Sequence, residues 1–306
     1  MTAPRLGLAL SSGSARGWSH IGVIRALVER GLAPSVITGA SVGALVGAAY
    51  ASGTLDPLEQ WVCKLTQLDV WRLVDTTFRG GGVMTGNRLM AAVAECVTDR
   101  PIEGLPIAYG AVATDLYTGD EVWLREGSLI DAVRASSGLP GLFAPTWYHD
   151  RWLIDGGVVN PLPVSLCRAL GADVVIAVDL SRSITRAAMR AQRNGKPGAK
   201  ASAEGVAVLQ RWSGLVDGLV ESFRSSRRDE PGLFEAMASS VNIMQERITR
   251  TRLAIEPADV VLRPDLAEFQ LMDFHRAREA IDVGYAAVER AASQVDSLKS
   301  REPEPA

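Results

Sequence analysis

The chain has 306 residues, 47% of them hydrophobic, long enough to bury one large α/β core or two small ones. A net charge of -3 leaves no basic excess to hold a nucleic acid or to draw the chain strongly onto an anionic membrane. Cys63, Cys96 and Cys167 are scattered without metal-ligand spacing or a C-x-x-C pair, so they read as reduced core residues of a cytosolic protein.

The stretch from Met1 to Leu10 lacks the basic start and long apolar run of a secretory signal; Leu6 to Leu10 reads instead as a first buried strand. Trp18 to Arg30 follows as a helix closed by Gly31. Val36 to Thr38 is a second buried strand, and it runs through Ser41 into an alanine-rich helix. That apolar helix, about Val42 to Ala51, is too short to span a bilayer. Further strands are expected at Ile107 to Ala113, Glu121 to Leu124, Trp152 to Ile154 and Val174 to Leu180. Helices are expected at Pro57 to Leu65, Asn87 to Val97, Leu129 to Ser136 and Pro163 to Leu170. Strands alternating with helices predict a largely parallel sheet covered on both faces.

From Ser181 to Glu204 apolar periodicity disappears, which reads as a mobile surface loop or a frayed helix. Val208, Leu209, Trp212, Leu215, Val216, Leu219, Val220 and Phe223 then recur at helical spacing. This amphipathic stretch, within 205–224, is either a helix packed on the core or a lid that touches a membrane surface. Phe234 to Ala254 and Phe274 to Val295 read as helices around a late strand at Val260 to Arg263. The domain plan is therefore a core over 1–180, a loop and lid-like segment over 181–233, helices and a strand over 234–298 completing the same domain, and a disordered tail over 299–306.

Gly39-Ala40-Ser41-Val42-Gly43 is a G-x-S-x-G pattern between a strand and a helix, where small neighbours let a serine Oγ stand exposed at a helix N-terminus. Upstream, Ser11 to Gly17 forms a small-residue loop between the first strand and its helix, which aims backbone N–H groups at one point. It lacks the ending of a P-loop and the full dinucleotide fingerprint, which weakens a nucleotide reading. Adjacent parallel strands would bring both loops to one sheet edge. Downstream, Asp155 ends an apolar strand and is followed by Gly156 and Gly157. An aspartate at its ordinary pKa of about 3.9 is a poor base for a serine, and burial would raise its basicity. Of three histidines, His20 suits a structural hydrogen bond and His149 a hairpin turn. His275 could formally complete a Ser41, Asp155, His275 triad, but it sits where a helix begins.

Together these motifs resemble the patatin-like phospholipase family, in particular its small bacterial members related to neuropathy target esterase. The resemblance runs through Arg16-Gly17-Trp18-Ser19-His20-Ile21-Gly22 and the Gly39 to Gly43 elbow. It continues through Ala113-Thr114-Asp115-Leu116 with Thr118-Gly119, then Arg134-Ala135-Ser136-Ser137 with Pro140 and Phe143-Ala144-Pro145. It ends in Asp155-Gly156-Gly157 with Asn160-Pro161. It implies a three-layer α/β/α fold and a Ser-Asp dyad without histidine, with Ser41 as nucleophile and Asp155 as its base. It also implies an oxyanion loop of Ser12, Gly13, Ser14 and Arg16. Where the family carries three consecutive glycines, Ser12 and Ser14 here flank Gly13.

The expected function is a lipid acyl hydrolase acting on phospholipids, lysophospholipids or related esters, cytoplasmic and peripheral at a membrane, without metal or cofactor and without a nucleic-acid partner. The competing expectation is a regulatory or scaffold protein that works through partners. Asp115 and Thr118 are expected to build a turn, Pro140, Gly141 and Pro145 a pocket wall, and Arg16 to hold its loop more than to meet a head group.

Overall fold

The computed structural model describes residues 4–73, 75, 82–181 and 233–300. The expected loop after Ser181, the amphipathic stretch at 205–224 and most of the expected tail lie outside the described residues. In chain order the elements begin β1 (Leu6–Leu10), α1 (Ser19–Glu29), β2 (Val36–Ala40), α2 (Val42–Ala51), α3 (Leu55–Val62), α4 (Gln67–Arg72), β3 (Gly82–Met84) and α5 (Asn87–Cys96). They continue with β4 (Ala108–Asp115), β5 (Glu121–Leu124), α6 (Leu129–Ser136), β6 (Gly141–Phe143), β7 (Thr146–Tyr148), β8 (Arg151–Asp155), α7 (Val164–Ala169) and β9 (Val174–Val178). From residue 233 onward come α8 (Leu233–Ile255), β10 (Val260–Leu262), α9 (Ala277–Arg290) and α10 (Ala292–Asp296).

Eight strands form the main sheet in the order β10-β9-β1-β2-β4-β8-β7, with β5 joining β4 on its other edge. From β10 to β4 every pair is parallel, whereas β5 and β8 run antiparallel to β4, and β7 antiparallel to β8. The continuous apolar runs of β1 and β9 suit the centre of such a sheet, where both faces are covered. Leu8, Leu10, Ile176 and Val178 point into a core shared with α1 and α2, and Ala9, Val175 and Ala177 into a second core with Val164 and Cys167 of α7. The result is a mostly parallel sheet between two helical layers.

α9 closes the first layer against α1. The two helices approach so closely at Gly284 that a Cβ there would strike the Ser19 carbonyl. Arg30, just past α1, pairs with Glu289 at 2.9 Å and with Asp296 at 2.8 Å. Because β10 pairs with β9, Val260–Leu262 extend the same sheet. Side chains cap the surface helices: Thr66 and Asp69 bond each other's backbone around the start of α4, and Ser128 accepts from the Asp131 N–H at α6.

Candidate active site

Ser41 is the hinge between β2 and α2, with φ 56° and ψ −125°, a conformation of order 1–3 kcal/mol above the ordinary basins. The surroundings hold it there. A Cβ on Gly43 would strike the carbonyl of Leu10, and one on Gly39 the backbone of Gly43. Bare glycines therefore let the elbow press against β1. The Ser41 N–H donates to Ser136 Oγ at 3.0 Å, and the Ser136 hydroxyl donates to the Val112 carbonyl at 2.6 Å. Ser136 is fully buried, so α6 braces the elbow against β4 through one hydroxyl.

The loop after β1 lies beside the elbow, because Leu10 of β1 is in register with Gly39 of β2. Several of its N–H groups already have acceptors. Ser12 donates to the Pro161 carbonyl at 2.9 Å, Ala15 to Leu271 at 3.3 Å and Arg16 to Gly13 at 3.3 Å. The N–H groups of Gly13 and Ser14 have no acceptor among the described residues. Ser14 sits at φ 51°, left-handed for a residue with a Cβ, and its hydroxyl donates to the Leu271 carbonyl at 2.7 Å. Arg16 is buried, with Nε donating to the Gly13 carbonyl at 3.1 Å and Nη2 to Asn242 Oδ1 at 3.3 Å. Burial lowers its pKa to about 10, so it stays charged at neutral pH.

Asp155 ends β8 opposite Ala113 of β4 and is completely buried. Oδ1 accepts the Gly157 N–H at 2.7 Å, and the Asp155 carbonyl accepts the Thr114 hydroxyl at 2.9 Å. Oδ2 has no hydrogen-bond partner among the described residues. Desolvation raises the carboxyl pKa to about 6, against the opposing pull of the Ser41 hydroxyl and the Gly157 N–H. The serine thus lies near enough to favour the carboxylate while no hydrogen bond of ordinary geometry joins them.

A cavity of about 150 Å³ opens on Ser41, with Gly13, Ser14 and Arg16 also in its lining. Its walls are chiefly apolar, with Trp18, Leu45, Leu89, Met90, Leu142 and Phe143 among them. No histidine lines it among the described residues. His20 holds Nε2 2.8 Å from the Ser11 carbonyl, and burial lowers its pKa to about 4, so it is neutral at neutral pH. His149 turns the β7 to β8 hairpin at φ 44°, and His275 lies in the short 3-10 turn before α9. Asp115 accepts the N–H groups of Tyr117 and Thr118, which makes a turn.

The Ser136 brace and the contacts of Asn242 and Gln245 went unread in the sequence. Ser136 was visible as a polar residue on the apolar side of a helix. Asn242 and Gln245 gave no local signal, because their partners lie more than two hundred positions upstream.

The patatin-like phospholipase family pattern matches residues 8–168, more than half the chain. The chain belongs to this family. An uncharacterized NTE family protein of Mycobacterium tuberculosis is 36% identical over 98% of this chain and 95% of its own length. A lysophospholipase NTE1 of Pyricularia oryzae is 29% identical over 92% of this chain, and patatin-like phospholipase domain-containing protein 7 of Mus musculus is 28% identical over 93%. This patatin-like chain matches only 18% and 20% of those two longer proteins. Family membership supports lipid hydrolase chemistry in general. No helix among the described residues is long and apolar enough to cross a membrane.

Proposed function

We propose that this chain is a serine acyl hydrolase that cleaves carboxylic esters of phospholipids, lysophospholipids or related lipids, with Ser41 as nucleophile and Asp155 as base. The observation that carries the reading is the free Oδ2 of a fully buried carboxylate beside the strained serine. Ser41 Oγ attacks the acyl carbonyl carbon as its proton passes to Asp155 Oδ2. The carbonyl oxygen becomes an oxyanion facing the Gly13 and Ser14 N–H groups, with the Arg16 charge behind them. Collapse breaks the ester C–O bond, and the leaving alcohol or lysolipid takes the proton back from Asp155. Water then gives its proton to Asp155 and adds to the acyl-serine; collapse returns that proton to Ser41 Oγ and frees the fatty acid.

In this reading Ser12 and Arg16 hold the loop, while Gly13 and Ser14 supply the oxyanion donors. The apolar cavity takes the acyl chain, and the protein works in the cytoplasm, peripheral to a membrane surface. Residues 1–180 form the catalytic core, completed by 234–298. A p-nitrophenyl ester series compared across the parent, Ser41→Ala and Asp155→Asn tests the dyad. The expected result is turnover by the parent and a loss of about a thousandfold or more in each variant. Equal turnover by all three would sink the reading.

A further inference from the structure

We propose that Gln245 is a positioning residue for this reaction, holding Ser12 against Gly157 from α8 and so fixing the oxyanion loop relative to the Asp155 turn. The assignment rests on the Ser41 and Asp155 reading above.

Gln245 is buried at 7% exposure and donates Nε2 to Ser12 Oγ at 3.3 Å. Its amide caps a corner with no spare room. A Cβ on Gly157 would strike Gln245 Nε2 and would stand 2.9 Å from both Ser12 Oγ and Asp155 Oδ1. Gly157 is also the residue whose N–H holds Asp155 Oδ1. One amide group thus touches the residue just before the two free N–H groups and the residue that orients the carboxylate.

α8 is itself anchored on both sides of this corner. Three residues before Gln245, Asn242 accepts from Arg16 of the oxyanion loop. Seven residues after it, Arg252 pairs with Glu121 at 2.6 Å, and Glu121 also accepts from Asn160 Nδ2 at 2.7 Å, just past the Asp155 turn. Asn242, Gln245, Thr249 and Arg252 fall at i, i+3, i+7 and i+10, one stripe of the helix. Gln245 and Thr249 are buried and Asn242 and Arg252 half-buried, and polar groups so placed cost stability unless they are paired; the Thr249 hydroxyl has no partner among the described residues. Here the pairing at Asn242, Gln245 and Arg252 ties the two halves of the site together. Displacements of about 1 Å between nucleophile, base and oxyanion donors can cost about a hundredfold in rate.

The charged groups bonded to the residues around this corner are Arg16, on Asn242, and Asp155, on Gly157, with the Arg252–Glu121 pair further along α8 on Asn160. A new charge at position 245 would therefore act first on Asp155.

The experiment measures kcat and KM for a soluble short-chain p-nitrophenyl ester across the acid limb of the pH profile. It uses the full chain as parent, Ser41→Ala, Gln245→Met, Gln245→Ala and Gln245→Glu. Gln245→Met keeps the volume without the donor and should lower kcat roughly tenfold with KM unchanged. Gln245→Ala should do the same and move the acid limb of kcat/KM to lower pH, because water then reaches the corner. Gln245→Glu should move that limb upward by about one pH unit, since a second carboxylate opposes ionisation of the first. Parental kcat in both Gln245→Met and Gln245→Ala, or a KM change alone, overturns the assignment while a silent Ser41→Ala leaves the dyad standing. A drop in activity with no displaced limb in either Gln245→Ala or Gln245→Glu marks a merely structural contact and overturns it too. Should Gln245→Ala fail to fold, the Met and Glu variants still decide. An active Ser41→Ala removes the dyad reading and this assignment with it.

Discussion

Asp155 is a carboxyl group buried away from bulk solvent, and in the proposed mechanism its ionisation links stability to activity. With the folded pKa raised to about 6 from an ordinary 3.8, the folded chain binds a proton more tightly than the unfolded one. The stability this contributes is present below the unfolded value and lost as pH rises through about 6. In the proposed mechanism activity runs the other way, because Asp155 must be ionised to act as base: kcat/KM should fall as pH drops below about 6. Asp155→Asn should therefore abolish turnover yet stabilise the fold at neutral pH by about 1–3 kcal/mol, with the gain fading in acid. Thermal melts of both proteins at neutral and acid pH check this; a destabilised Asn variant at neutral pH would contradict the burial argument. Ser136 makes the complementary case. Ser136→Ala removes the acceptor of the Ser41 N–H and a donor to the Val112 carbonyl, at a cost of about 1–3 kcal/mol. Its kcat should fall roughly tenfold, with the acid limb unchanged.

At the scale of elements, the site depends on how closely backbones approach. Gly43→Ala would push a methyl group into the Leu10 and Ser11 carbonyls and should destabilise by more than about 3 kcal/mol, read by denaturant unfolding. Gly284→Ala in α9 meets the Ser19 carbonyl in the same way and should cost a comparable amount without altering kcat of the folded fraction. Elements with strong local signals were legible in the sequence. β1, β5 and α6 match the expected bounds, because apolar runs, alternation and helical spacing are local properties. The short α4, β3, β6 and β7 were not read, since three to six residues carry little periodicity and their pairing partners are distant. α4 did carry a readable start in Thr66 and Asp69, a capping box that went unused.

For the whole molecule, the sheet order decides the chemistry. β1 and β2 are neighbours, so the two strand-to-helix loops meet at one edge, while β8 returns antiparallel beside β4 and delivers Asp155 to the same level. The glycine pattern around Ser41 and the motif at Asp155 made that meeting legible. The grip of α8 on both loops was not, because it depends on residues far apart in the chain. In the proposed mechanism Ser41 carries the acyl group. The direct measurement is to quench the parent during turnover of an activated ester and locate the acyl adduct by peptide mass spectrometry. The adduct is expected on the peptide bearing Ser41, with none in Ser41→Ala. An adduct on another residue, or steady turnover by Ser41→Ala, would contradict that mechanism.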